Sequence, residues 1–321
     1  MTAISNSGHN SEEFVDGLQI VQFAHKITRI NVNRAVVGRV HLLSIKGCEG
    51  QLHVVRAPID RVMVGLKPRG TADQTVQGAT LHRDEMILLG AGVQAYHRTT
   101  GYAAWAWITI GAGVLQDWSS VILGRTLDLP FYDTILRPTH RSFARLRRVH
   151  AEAIALAMTR PQVFQHPEIS RALKHEVIHA LVTCVGGEET AKEPLVEAKI
   201  RHRRLSLLLR FEDAIAGQLS QPASVSSLAS EFGVADRTLR DVCTRFLGMG
   251  PRTYIVAKRL KGAREALLNA EPAATVAEVA EAFGFQQTRR FSVLYRRMFG
   301  EDPSKTFVPD PNPPQNLAEN T

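Results

Sequence analysis

The sequence predicts an α+β chain: a β-rich first half, then helices, then an all-α end. Three observations carry this. Between Leu18 and Ile110, short β-branched runs alternate with turns marked by Gly and Pro. After Asp133 the texture changes to long helical stretches. Between residues 224 and 300 one helical pattern occurs twice.

The chain has 321 residues, 44% apolar and 22% charged, which suits roughly two domains with ordinary cores. No run of about 18 apolar residues occurs, so no transmembrane helix is expected. Met1 to Asp16 is polar and acidic, without the basic and apolar regions of a secretory leader. Residues 1–17 and 307–321 read as disordered tails, the second rich in proline from Pro309 to Pro314. Cys48, Cys184 and Cys243 lie far apart, so neither a disulfide framework nor a cysteine zinc site is expected, and a reducing cytoplasm fits. The net charge of +8 is uneven: +1 over residues 1–133, +6 over 134–205 and +3 over 206–306. That balance is compatible with a polyanion and equally with a solvated basic face.

The first strands are expected at residues 36–43, 51–55, 61–66, 86–89 and 104–108, with turns at 67–70 and 90–92. Short strands at this spacing predict an antiparallel sandwich or small barrel. Residues 139–160 and 168–185 read as two amphipathic helices, with more apolar surface than one small barrel needs, so a dimer interface is expected there. Gly186-Gly187-Glu188-Glu189 opens an expected linker over 187–205, in which a basic helical run starts near Pro194, and which separates a domain at 18–186 from one at 206–306.

The repeat aligns Ser224 to Gly233 with Thr275 to Gly284. Each copy opens on a hydroxyl residue suited to an N-cap, and Glu278 completes a capping box with Thr275. Each ends on glycine, which tolerates a left-handed helix exit. A second helix then follows with two faces. Leu239, Val242, Cys243 and Phe246 make an apolar stripe opposite Arg237, Arg240, Asp241 and Thr244. In the second copy Phe291, Leu294, Tyr295 and Met298 lie opposite Arg289, Ser292, Val293 and Arg296. This is the helix-turn-helix plan; one copy alone would read equally as a helical hairpin with solvated charges. Pro251 to Asn269, at about 1.5 Å per residue, makes a helix of about 28 Å. Successive major-groove entries on one face of B-DNA are about 34 Å apart, so one connecting helix can serve both.

Residues 206–306 resemble the DNA-binding domain of the AraC/XylS family of transcriptional regulators. The resemblance rests on Gly250-Pro251-Arg252-Thr253-Tyr254, on Arg259 through Leu268, on Val276-Ala277-Glu278-Val279-Ala280, on Gly284-Phe285, and on Phe291-Ser292 through Phe299-Gly300-Glu301-Asp302-Pro303-Ser304. It implies seven helices around two helix-turn-helix motifs that bind double-stranded DNA. Arg237, Thr238, Arg240, Asp241, Thr244, Arg245, Thr288, Arg289, Arg290, Ser292, Arg296 and Arg297 are the expected DNA-binding residues. Among them Arg245, Arg290 and Arg297 suit phosphates. Asp241 either accepts from cytosine or orients Arg237. The chain departs from the family at Arg289, Arg290, Val293, Cys243 and Tyr295. Ahead of this domain the resemblance is one of layout. It implies a cupin-like sensing domain with appended dimerisation helices, a homodimer, a small-molecule effector and, for an activator, contact with RNA polymerase. An effector pocket would sit inside the barrel without metal or other cofactor, with Met63, Tyr96, Trp105 and Trp107 as candidate ligand-binding residues. His41, His53, His82 and His97 are scattered singly and read as surface or hydrogen-bonded histidines rather than metal ligands.

One competing signal is enzymatic. His175-Glu176-Val177-Ile178-His179 fits the His-Glu-x-x-His pattern of zinc metalloproteases. Glu197 is the nearest third ligand, beyond a Gly-Gly pair, and the surrounding Leu173, Val177, Ala180, Leu181 and Cys184 read as a packed helix stripe. No phosphate-cradling glycine loop or Gly-x-Ser-x-Gly elbow appears, so no enzyme is expected. A pure interaction scaffold would leave the doubled helix pairs unexplained.

Overall fold

The computed structural model describes residues 14–15, 18–19, 31–48, 52–68, 70, 74–99, 101–217, 220, 224–269 and 275–306. They form two compact units, divided between Leu205 and Ser206, with no helix long and apolar enough to cross a membrane among the described residues.

The first unit is built on two antiparallel sheets. A seven-stranded sheet runs in the order β13 (Ala191–Lys192), β12 (Asp133–Arg137), β9 (Met86–Leu89), β6 (Arg61–Leu66), β11 (Ala103–Gly111), β4 (Val40–Cys48), β3 (Asn31–Val37). A four-stranded sheet runs β5 (Leu52–Arg56), β10 (Gln94–Thr99), β7 (Gln74–Val76), β8 (Ala79–Leu81). Strands β1 (Phe14–Val15) and β2 (Leu18–Gln19) pair as a separate small ladder. Phe14–Val15 thus forms a strand where a disordered tail was expected; most of 1–17 and all of 307–321 lie outside the described residues.

Side-chain alternation divides the apolar residues of the large sheet between two cores. Leu43, Ile45, Met63, Ile87, Leu89, Trp105 and Trp107 meet Val55, Val76, Leu81 and Ala95 between the sheets. Leu42, Val62, Val64, Leu66, Leu88, Ala106, Ile108 and Ile110 point the other way, onto helices. The central strands are therefore buried on both faces and read as continuous apolar runs. Each aliphatic side chain so buried contributes about 1.5–3 kcal/mol.

Three helices cover the outer face: α1 (Ala112–Leu123), α2 (His140–Thr159) and α3 (Pro167–Gly186). Thr139 caps α2, its Oγ1 accepting the Ser142 N–H at 3.2 Å. Phe143, Leu146, Val149, Ala153, Ile154 and Ala157 are buried at helical spacing on α2, and Val177, Ile178, Leu181 and Val185 on α3. These faces pack on the chain's own sheet, while Met158 and Ile169 of the same two helices stay exposed.

Two other expectations change. The run 36–43 is not one strand but a hairpin, with Val37 paired to Val40 and Gly38 at φ +64° between them. Only glycine enters that left-handed region without strain. Within the expected linker 187–205, β13 forms after the glycine pair, and helix α4 (Leu195–Ala216) starts where the basic helical run was expected. Arg201 on α4 is buried and ion-paired to Asp133 at 2.7 Å and to Glu193, and His202 Nε2 lies 3.1 Å from the Asp133 carbonyl oxygen. Burial pushes the Asp133 carboxyl up, but the hydrogen bond from His202 and the charges of Arg201 and His202 outweigh it and hold the group below the usual range.

The second unit is helical: the rest of α4, then α5 (Val225–Glu231), α6 (Asp236–Leu247), α7 (Pro251–Leu268), α8 (Val276–Ala282), α9 (Thr288–Phe299) and α10 (Pro303–Thr306). Leu260, Ala263, Leu267, Val279, Ala280, Phe291, Tyr295 and Phe299 make the core around α7, α8 and α9.

Candidate nucleic-acid interface

The two helix pairs, α5–α6 and α8–α9, are built on the same plan. Ser224 caps α5 by accepting from the Ser227 N–H. Thr275 and Glu278 cap α8 reciprocally, with Thr275 N–H to Glu278 Oε2 at 2.8 Å and Glu278 N–H to Thr275 Oγ1 at 3.2 Å. Both first helices end on a left-handed glycine, Gly233 at φ +68° and Gly284 at φ +75°. The next residue closes each turn: Val234 N–H donates to Ala229 O at 3.0 Å, and Phe285 N–H to Ala280 O at 2.9 Å. Both second helices have 12 residues and end on a left-handed glycine, Gly248 or Gly300.

Each second helix is held by its apolar stripe. Leu239, Val242, Cys243 and Phe246 are buried on α6. Phe291, Tyr295 and Phe299 are buried on α9, with Leu294 and Met298 packed beside them. Burial pushes the Cys243 thiol up to about 12, as it does Cys184, so both sit in the fold as small apolar groups. Tyr295 donates its hydroxyl hydrogen bond to Thr306 on α10 at 2.8 Å.

The opposite faces carry the expected DNA-binding residues. On α6 Arg237, Thr238, Arg240, Asp241, Thr244 and Arg245 are exposed. On α9 Thr288, Arg289, Arg290, Arg296 and Arg297 are exposed, and Ser292 is half-buried with its hydroxyl on Thr288 O at 3.0 Å. Arg237 and Asp241 lie 3.9 Å apart as an i,i+4 pair. Arg296 donates from Nε to Asp302 Oδ1 at 2.8 Å, so a carboxylate just beyond the helix already engages it. Arg240, Arg289, Arg290 and Arg297 make no ion pair with a described residue. Val293 is 60% exposed among these polar groups, an apolar residue on a face that otherwise seeks water.

The enzymatic signal dissolves in the structure. Glu176 is held by Arg145 in a two-pronged pair, at 3.0 and 2.9 Å. That hydrogen bond keeps its carboxyl below the usual range. His175 packs edge-on against Trp118 at 4.5 Å, and His179 Nδ1 lies 3.3 Å from Arg145. A general base locked to a guanidinium between two diverted histidines does not hold a metal, and Glu197 is exposed on α4. Among the described residues no group of three or more His, Cys, Asp or Glu is placed to hold one.

The ligand candidates divide. Trp105 and Trp107 stack at 5.6 Å and 14°, and with Met63 they lie in the core between the sheets. Tyr96 is buried apart from them, its backbone N–H on Gln77 Oε1 at 3.2 Å and its hydroxyl accepting from Gln94 at 2.7 Å. Its strand neighbours Ala95 and His97 point to the opposite face, toward the inter-sheet core. The reading of His53 and His97 as surface or hydrogen-bonded histidines is overturned. Both are buried, and among the described residues His53 Nδ1 and Nε2 and His97 Nε2 have no hydrogen-bond partner. Isolated histidines in sequence carry no sign of this; only strand register brings the two together.

Comparison with known proteins converges on the same domain. Residues 228–307 match the family model described as a helix-turn-helix domain. The chain is 28% identical over 188 residues to the "Probable thc operon regulatory protein" of Rhodococcus erythropolis, covering 58% of this chain and 52% of that protein. It is 35% identical over 101 residues to the "HTH-type transcriptional activator RhaS" of Escherichia coli K12, covering 31% of this chain and 34% of that one. The chain thus spans about half the length of the first relative and a third of the second. A solved AraC-type regulator domain from Chromobacterium violaceum is 25% identical, covers 32% of this chain and 89% of its own, and superimposes with a TM-score of 0.31. Residues 228–307 thus carry an AraC-type helix-turn-helix domain, the part of the chain shared with these regulators of transcription.

Proposed function

We propose that the chain is a cytoplasmic, sequence-specific regulator of transcription, whose second unit binds double-stranded DNA and whose first unit takes a small-molecule effector. One observation carries the DNA half: two structurally matched helices, α6 and α9, each turn an arginine-rich face to solvent from an identical turn. Arg237, Arg240 and Thr244 read one major groove; Arg289 and Ser292 read the next. Guanidinium forks suit guanine and hydroxyls suit bases or phosphate. Arg245, Arg290, Arg296 and Arg297 hold the backbone, Arg296 after leaving Asp302. The outward Val293 meets a thymine methyl, as an apolar group does in the groove. The effector half is supported by the two-sheet architecture and by polar groups buried between the sheets.

The proposal extends to a homodimer and, as for an activator, to contact with RNA polymerase. With α2 and α3 packed on their own sheet, the homodimer draws on the outward Val121, Met158 and Ile169. Selection of bound sequences from a random duplex pool, using the full chain, tests the reading. Enrichment of two half-sites about one helical turn apart is expected. Uniform retention of all sequences would reduce the chain to a non-specific polyanion binder. Sedimentation of the full chain at tens of micromolar checks the dimer.

A further inference from the structure

A row of four aromatic rings crosses the core of the first unit. His53 on β5 and His97 on β10 are direct cross-strand partners, stacked at 5.5 Å and 21°. His97 meets Trp105 edge-on at 3.8 Å, and Trp105 stacks on Trp107. His53, His97 and Trp105 are each no more than 2% exposed. Four of their nitrogens, both on His53, Nε2 on His97 and Nε1 on Trp105, have no partner among the described residues. A polar atom taken from water without a partner is costly, and natural cores seldom keep one without cause. Phenylalanine at either histidine would fill the same space without that cost.

The chemistry of the orphaned groups narrows what satisfies them. An indole nitrogen only donates, and a neutral imidazole carries one N–H and one bare nitrogen that becomes a second N–H when the ring takes a proton, so the protonated row is chiefly a set of donors. Its complement is a group that only accepts, and a carboxylate is one. Leu43, Ile45, Val55, Met63 and Val76 make most of the neighbouring core apolar, beside the buried Gln74, whose Nε2 donates to Ala104 O at 3.1 Å, so most of the ligand is apolar too. Among the described residues only burial and His53 itself act on the two imidazoles, so a carboxylate buried beside them takes its compensating charge from an imidazole that gains a proton.

We propose that His53, His97 and Trp105 form a binding site for a small, largely apolar carboxylic acid, which enters together with one proton drawn from solvent. No covalent bond changes: carboxylate and proton arrive, and a carboxylate–imidazolium pair results. This rests on the effector role proposed for the first unit and names its ligand class. Burial holds the free site neutral, with His53 lowered to about 4, and His97 well below 6.5 through burial and then His53. Trp105 and Trp107, which face the pair from the other sheet, do not titrate.

The test is calorimetry on the full chain with benzoate and hexanoate against benzamide and hexanamide, in two buffers of different protonation enthalpy. Binding of at least one acid, with about one proton taken up per ligand, is expected. Affinity should rise by up to about tenfold per unit of falling pH between 8 and 6, and the matching amide should bind at least about tenfold more weakly. His53→Phe and His97→Phe should each lose acid binding by about tenfold or more with near-ultraviolet dichroism retained. If a variant does not fold, proton uptake by the unsubstituted chain decides. Binding without proton uptake, amides as tight as acids, or full binding in both folded variants would overturn the proposal. A thermal-shift panel of neutral sugars, alcohols and amides separates the two levels. Stabilisation by a neutral compound while both acids fail removes the carboxylic-acid site and leaves the effector role standing. Failure of acids and panel alike removes both.

Discussion

At the residue scale, the faces of α6 and α9 separate readers from clamps. Arg240 lies mid-helix opposite Leu239 and Phe246, both buried, so its side chain extends from the exposed face. Arg297 lies in the last turn, between half-buried Met298 and Arg296. Arg240→Ala should lower affinity for the selected operator by roughly ten- to hundredfold and barely change binding to random duplex. Arg297→Ala should weaken both alike and reduce the salt slope by about one unit. Fluorescence anisotropy on both duplexes at several salt concentrations measures this. Equal losses for Arg240→Ala on both duplexes would make it a phosphate clamp instead.

At the element scale, two side chains lock helices in place. Gly262 on α7 leaves room for the Phe283 ring at the end of α8: a Cβ there would sit 2.4 Å from its Cε1 atom. Alanine favours the helix by about 1 kcal/mol, but displacing the ring costs about 1–3 kcal/mol. Gly262→Ala should therefore destabilise the second unit and weaken operator binding, as read by urea unfolding and anisotropy. A gain in stability would show that Phe283 moves freely.

Arg201 fastens the start of α4 to β12 and the segment after α3. Its removal leaves Asp133, fully buried, and Glu193 with His202 alone to offset their charge. Arg201→Ala should cost the first unit about 3 kcal/mol or more. The α4 backbone amides from 195 to 205 should exchange faster with deuterium, while those of α6 and α9 should not. Unchanged exchange along α4 would mean that apolar packing alone holds the helix.

At the scale of the whole molecule, the two units respond differently to acid. His53, His97 and His150 are buried in the first unit, and the second holds none so buried among the described residues. His53 and His150 are lowered to about 4, both by burial, and His97 is also lowered. Folding keeps these rings neutral, while the unfolded chain takes protons below about 6.5. Their contribution is thus fully present above pH 6.5 and lost as pH falls toward 4, at about 1.4 kcal/mol per pH unit for each ring. Trp105, Trp107 and Trp118, the three tryptophans of the chain, all lie in this unit, so their fluorescence reports it alone. The urea midpoint by tryptophan fluorescence should drop steeply from pH 6.5 to 4.5, with the helical signal of the second unit outlasting it. A flat midpoint would show that the imidazoles are solvated.

The sequence alone determined the second unit almost entirely. Its caps, glycine exits, apolar stripes and arginine faces are local signals, each set within one or two helical turns, so spacing suffices to read them. In the first unit the sequence determined the class but not the detail. The expected helices 139–160 and 168–185 correspond to α2 and α3, but α1, β12 and the hairpin turn at Gly38 went unread. Tertiary structure decided what depends on distant partners. It placed His53 against His97 through cross-strand register, and it turned Tyr96 away from Trp105 and Trp107 through strand alternation. It diverted Glu176 to Arg145 across two helices, and it buried Arg201 in what read as a linker. The Arg145–Glu176 pair spans 31 positions of sequence and the Arg201–Asp133 pair spans 68. The physical reason is that periodicity reports which face of an element is apolar, whereas the partner of a polar group on that face is chosen by packing.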